Sequence, residues 1–177
     1  MAEDNPAAAF LADLSLGYRF APTDLEVIRD YLMKKIKNEP LPAPLVHDVN
    51  LYQYNPETLV ESYPEHIYGW YFFTPRERKY KNGSRPNRAA GTGYWKASGK
   101  EEPILAGRSV IGHKRTLAFY QGNHPNGDRT EWMMQEFTIA GPQPLRRDEN
   151  DMRLDDWVLC RIYKSHIKAR ENKKRKR

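Results

Sequence analysis

From Tyr68 onward the chain is a succession of short runs rich in β-branched and aromatic residues: "YGWYFFTP", "TGYWKAS", "SVIGHKRTLAFYQ", "RTEWMMQEFTI" and "DWVLCRIYK". No helix-length amphipathic stretch lies between them. Parallel neighbours need a crossover of about a dozen residues, usually a helix, so a parallel sheet is disfavoured. Asn126-Gly127 in "HPNGD" accepts the positive φ angles of a tight hairpin, which predicts that the third and fourth runs pair antiparallel. The fold class expected is α+β, a twisted antiparallel β-sheet flanked by a few helices, without internal repeats.

Two helices are expected ahead of the sheet. Thr23 and Glu26 form T-x-x-E, a capping box in which each side chain satisfies a free backbone N–H. A helix over about 24–37 follows, with Leu25, Ile28, Leu32 and Ile36 as its apolar stripe and Arg29, Lys34 and Lys37 on the opposite face. A Pro-rich connector then leads to a short helix with Asn55 as N-cap and Pro56 at its first position. Residues 1–13 show no sustained periodicity and are expected to be flexible. Residues 14–164 form the expected domain, and 165–177 a basic tail.

Composition narrows the function classes. A 177-residue chain suits one domain, and its 12% aromatic content demands a core. The lone Cys160 excludes an intrachain disulfide and a Cys-based zinc finger, and fits a reducing compartment. His47, His66, His113, His124 and His166 lie far apart, so no metal is expected. No apolar run reaches the ~20 residues of a membrane span, and the N-terminus lacks a signal-peptide pattern. There is no G-x-S-x-G, P-loop or H-E-x-x-H, so no enzyme, cofactor or small-molecule substrate is expected. Cys160 and the four tryptophans, Trp70, Trp95, Trp132 and Trp157, sit inside apolar runs and read as core.

Charge points to the partner. "RKYKNGSRPNRAAGTGYWKASGK" carries Arg78, Lys79, Lys81, Arg85, Arg88, Lys96 and Lys100 without one acid. The whole chain is +6 and residues 164–177 alone are +7, leaving the rest slightly acidic at −1. The domain is therefore bipolar, with an oriented basic segment that suits a polyanion. Nucleic acid is the first candidate, and the chain shows no RRM or KH signature. Lys79, Arg85 and Arg88 are expected to hold phosphates, with Gly83, Pro86, Gly91 and Gly93 allowing close approach; such contacts imply steep salt dependence. Alternation along 95–100 puts Lys96, Ser98 and Lys100 on one face, where Lys96 suits a guanine edge or phosphate. For Lys114 and Arg115, phosphate contact and a solvated face both stay open. Lys173, Lys174, Arg175, Lys176 and Arg177 read as a nuclear-import patch or a nucleic-acid arm.

Four blocks in order, "LGYRFAPTDLE", "WYFFTPRERKYKNGSRPNRAAGTGYWKASGK", "VIGHKRTLAFYQGNHPNGDRTEWMMQEF" and "DWVLCRIYK", with the spacing that joins them over about residues 14–163, resemble the NAC domain of plant transcription factors. The resemblance implies a nuclear, double-stranded DNA-binding dimer, homodimeric or heterodimeric with related domains. It implies that the strand Trp95–Lys100 enters the major groove and that the N-terminal segment dimerises. Arg19 and Glu26 match a reciprocal salt bridge of the family's dimer, with Leu14, Leu16 and Tyr18 as apolar contacts. Glu26 has a competing use in its own capping box.

The chain also departs from that pattern. Glu101 and Glu102 stand where a cation is expected, Asn123 and Asn126 at positions that are often Lys, and Ser15-Leu16, Leu25 and Val27 alter the dimer segment. Weaker and more salt-sensitive DNA binding is expected, or an altered site if a Glu accepts from cytosine. The alternative function is a dimerisation module that binds DNA weakly and sequesters related factors.

Overall fold

The computed structural model describes residues 5–14, 17–142 and 144–166. The strands are β1 (His47–Asp48), β2 (Trp70–Glu77), β3 (Ala89–Ala90), β4 (Gly93–Ala97), β5 (Glu102–Ala106), β6 (Ser109–Gln121), β7 (Asp128–Ile139) and β8 (Arg153–Lys164). They form one sheet in the order β1-β2-β8-β7-β6-β4-β3, with β5 pairing the other half of β6. Every pairing is antiparallel except the short β1–β2 contact. The α+β expectation holds, with the sheet made mixed by that one pair.

Both faces of the sheet are covered, which explains why its central strands read as unbroken apolar runs rather than alternating ones. Tyr71, Phe73, Phe137 and Leu159 point into one cluster; Trp70, Phe72, Trp132, Met134, Val158 and Cys160 point into the other. Adjacent Phe72 and Phe73 are each fully buried on opposite sides, contributing about 2–3 kcal/mol apiece. Trp157 is half-buried, with the Lys35 ammonium 4.6 Å from its ring centroid.

The first cluster is closed by a continuous helical run, α2, composed of Asp24–Glu26, a π-helical segment Val27–Leu32 and Met33–Ile36. Its capping box forms: Thr23 Oγ1 accepts from Glu26 N at 3.2 Å, and Glu26 Oε1 accepts from Thr23 N at 3.2 Å. The π segment turns Val27, Ile28, Tyr31 and Leu32 into the core, so the buried stripe is confined to 27–32 instead of running from Leu25 to Ile36. Leu25 and Ile36 are only half-buried.

Three local expectations differ from the structure. Pro6–Ala12, inside the segment read as flexible, forms helix α1, capped by Asn5 Oδ1 and anchored by buried Ala7. α3 (Pro56–Val60) starts with Pro56 as expected, but the Asn55 side chain does not cap it. It instead accepts from Thr92 N at 2.8 Å and ties down the turn between β3 and β4. The β6–β7 hairpin pairs as expected through a longer loop: Asn126 N donates to Asn123 O, and the left-handed residue is Gly122 rather than Asn126-Gly127.

Candidate nucleic-acid interface

The basic segment folds as a loop followed by an edge hairpin. Arg78 bridges Pro86 across the loop, Lys79 N donates to Arg85 O at 2.8 Å, and Asn87 N donates to Glu77 O at 2.9 Å. The chain then runs through β3 and β4 to the edge of β6. Gly91 takes φ +55°, and an added Cβ there would lie 2.6 Å from Asn55 N. A Cβ at Gly93 would strike the Tyr120 carbonyl and the Phe119 ring. Internal packing alone therefore requires glycine at both positions.

The seven cations divide by environment. Arg78 is 7% exposed, and its guanidinium donates to Gly83 O at 3.0 Å, so it holds the loop from within. Arg88 is also internal. It donates to both carboxylate oxygens of Glu136, at 2.5 and 3.0 Å, and to Tyr52 Oη at 2.7 Å. Lys79, Lys81, Arg85, Lys96 and Lys100 are exposed, and among the described residues none of them has a carboxylate partner.

Arg88 belongs to a buried network that sequence reading missed. Glu136 is 1% exposed and also receives Arg76 Nη1 at 2.9 Å and the Tyr52 hydroxyl. Arg76 Nε continues to Asp155 at 2.7 Å, so two guanidinium groups face two carboxylates. Burial alone would raise the Glu136 pKa, but Arg88 and Arg76 outweigh it and hold the carboxyl at about 2. Burial lowers the Arg88 pKa, but Tyr52 and Glu136 outweigh it and keep it raised. One signal was available: Trp132, Met134 and Glu136 share a face of β7, which puts an acid at a position whose period-2 neighbours are core.

An open groove of about 640 Å³ lies above this network. It gathers five of the expected nucleic-acid residues: Lys79, Arg85, Arg88, Lys96 and Arg115. Lys96 extends over the Tyr120 ring at 5.6 Å, and His124 reaches the rim from the β6–β7 loop beside Tyr94. The groove does not gather Ser98, Lys100 or Lys114. β4 ends at Ala97 and Gly99 takes φ +85°, so strand alternation does not carry as far as Ser98 and Lys100. Lys114 and Arg115, neighbours on β6, point to opposite faces. Lys114 meets Asp24 at the start of α2 at 2.7 Å and Glu102 at 3.4 Å; burial lowers its pKa but these acids keep it raised.

The expected dimer residues lie elsewhere. Leu14, Tyr18 and Arg19 line a shallow cleft of about 570 Å³ with Phe20, His66 and Ile67. Tyr18 and Ile67 are exposed there. Arg19 donates to Tyr18 O at 2.9 Å, and Glu26 uses Oε1 for its capping box. Leu16 and the import patch Lys173–Arg177 lie outside the described residues.

The family profile described as No apical meristem (NAM) protein matches residues 15–139. The chain belongs to the NAC (NAM) domain family. This NAC domain is 51% identical over 158 residues to NAC transcription factor 32 of Arabidopsis thaliana, covering 86% of this chain and 60% of that protein. It is 48% identical over 156 residues to Protein ATAF2 of the same plant, covering 85% and 54%. It is 46% identical over 175 residues to NAC transcription factor NAM-1 of Hordeum vulgare subsp. vulgare, covering 89% and 43%. The NAC domain here thus spans 43 to 60% of the length of these relatives.

Proposed function

We propose that this chain is the sequence-specific, double-stranded DNA-binding domain of a plant transcription regulator, working in the nucleus as a homodimer or as a heterodimer with related domains. The relatives named as transcription factors support the class. The observation that carries the DNA reading is the groove rimmed by exposed Lys79, Arg85 and Lys96, each without a carboxylate partner among the described residues. Arg88 acts here as a positioning residue: it braces the groove floor through Glu136 and leaves phosphate contact to the other three. Three cations per protomer neutralise about six phosphates per dimer, which gives a salt slope of roughly −5. Base reading falls to Lys96 on the outward face of β4.

Dimerisation proceeds through the cleft around Leu14, Tyr18 and Arg19, and Leu16 belongs to the same stretch of sequence. The second Glu26 oxygen, Oε2, stays available for Arg19 of a second copy while Oε1 caps α2. The domain covers 14–164, and the tail Lys173–Arg177 serves nuclear import. Selecting bound duplexes from a random pool tests the reading: enrichment of one short motif, lost in Lys96→Ala, supports it. An unenriched pool beside a stable heterodimer with a related domain would replace it with the sequestering role, a role favoured by the acid at the groove, Glu101.

A further inference from the structure

One acid, Glu101, lines the basic groove, and strand register puts it there. β5 pairs with β6 so that Glu102 faces Lys114, which brings the preceding residue, Glu101, opposite Arg115. Glu101 Oε1 lies 3.7 Å from Arg115 Nη2. Faces alternate along a strand, so the Glu102–Lys114 pair sits with Asp24 on the α2 side while the Glu101–Arg115 pair opens to the groove. Across β7, the register partner of Arg115 is Glu136, whose carboxylate is already taken by Arg76 and Arg88. Both groove partners remain part-exposed, Glu101 at 43% and Arg115 at 34% of their side chains.

Resting on the DNA-binding reading, we infer that Glu101 is a built-in counter-anion for Arg115: it occupies the place of a backbone phosphate, and so sets the affinity and salt dependence of the groove. A cation already neutralised by its own protein releases no counterion when DNA arrives. The parent domain therefore binds more weakly than the groove's full set of cations allows, but with a shallower salt slope. That reverses the more salt-sensitive binding expected from the sequence.

The test compares the parent, Glu101→Gln, Arg115→Gln and the double variant on one duplex across a fourfold range of salt. Glu101→Gln is expected to steepen the slope by about two units per dimer, and to lose roughly tenfold more affinity than the parent over that range. Arg115→Gln leaves Glu101 unpaired and is expected to weaken the parent, but by less than it weakens Glu101→Gln, whose gain it abolishes. Glu102→Gln, on the opposite face, leaves the slope where it was. A parent that binds DNA and is matched by Glu101→Gln overturns this inference alone. So does an equal loss on Arg115→Gln in both backgrounds. Absence of binding to any duplex by the parent and by Glu101→Gln, even at the lowest salt, overturns the DNA-binding reading with it.

Discussion

Replacing Glu136 by Gln keeps the side-chain shape and removes one buried charge. Arg76 retains Asp155 at 2.7 Å, but Arg88 is left with neutral acceptors only, the Tyr52 hydroxyl and the new amide oxygen. Stranding one member of a buried pair costs about 3–5 kcal/mol. Linkage gives an independent figure. The Glu136 pKa of about 2, against an ordinary 4.5, corresponds to roughly 3 kcal/mol at 1.36 kcal/mol per unit. For a domain of this size these values lower Tm by about 6–20 °C. Denaturant unfolding followed by tryptophan fluorescence reads the loss directly. Adding Arg88→Met removes the stranded cation and is expected to recover part of the stability. A Glu136→Gln variant within about 1 kcal/mol of the parent, or a double variant worse than the sum of the two single ones, would refute the network's role.

The remaining predictions are simpler. Because the folded Glu136 pKa is depressed, its contribution is fully present above about pH 4.5 and is lost as pH falls towards about 2; urea midpoints measured down that range should drop in the parent and stay flatter in Glu136→Gln. Arg88→Ala should lower stability and DNA affinity together, whereas Lys79→Ala should lower affinity and leave Tm within about 2 °C, which calorimetry and anisotropy separate. Arg19→Glu should weaken the dimer and the added Glu26→Arg should restore part of it, as read by analytical ultracentrifugation; an exposed pair sets the effect at about 1 kcal/mol or less.

Elements whose stability is written locally were legible. The capping box at Thr23 and Glu26, Pro56 at a helix start, and the strands from Trp70 onward follow from residue type and spacing. What escaped depends on residues distant in sequence. Arg88 read as an unopposed cation because its acid lies 48 residues away, on the inner face of β7. Asn55 read as a cap, but its amide satisfies Thr92, 37 residues on. α1 is too short for a period to show: its stripe is only Ala7, Phe10 and Leu11, which pack against the cluster under α2, and Asn5 caps its start. Lys114 and Arg115 read as one cluster because adjacency in sequence hides the alternation that sends them to opposite faces.

The most direct measurement of the central claim is duplex affinity by fluorescence anisotropy across a salt series, for the parent and for Lys79→Ala and Lys96→Ala. The predicted result is a slope of roughly −5 for the parent dimer, reduced by about two units in each variant, with selectivity relaxed only in Lys96→Ala. A slope near zero, or one that neither substitution changes, would contradict the assignment of this groove to DNA.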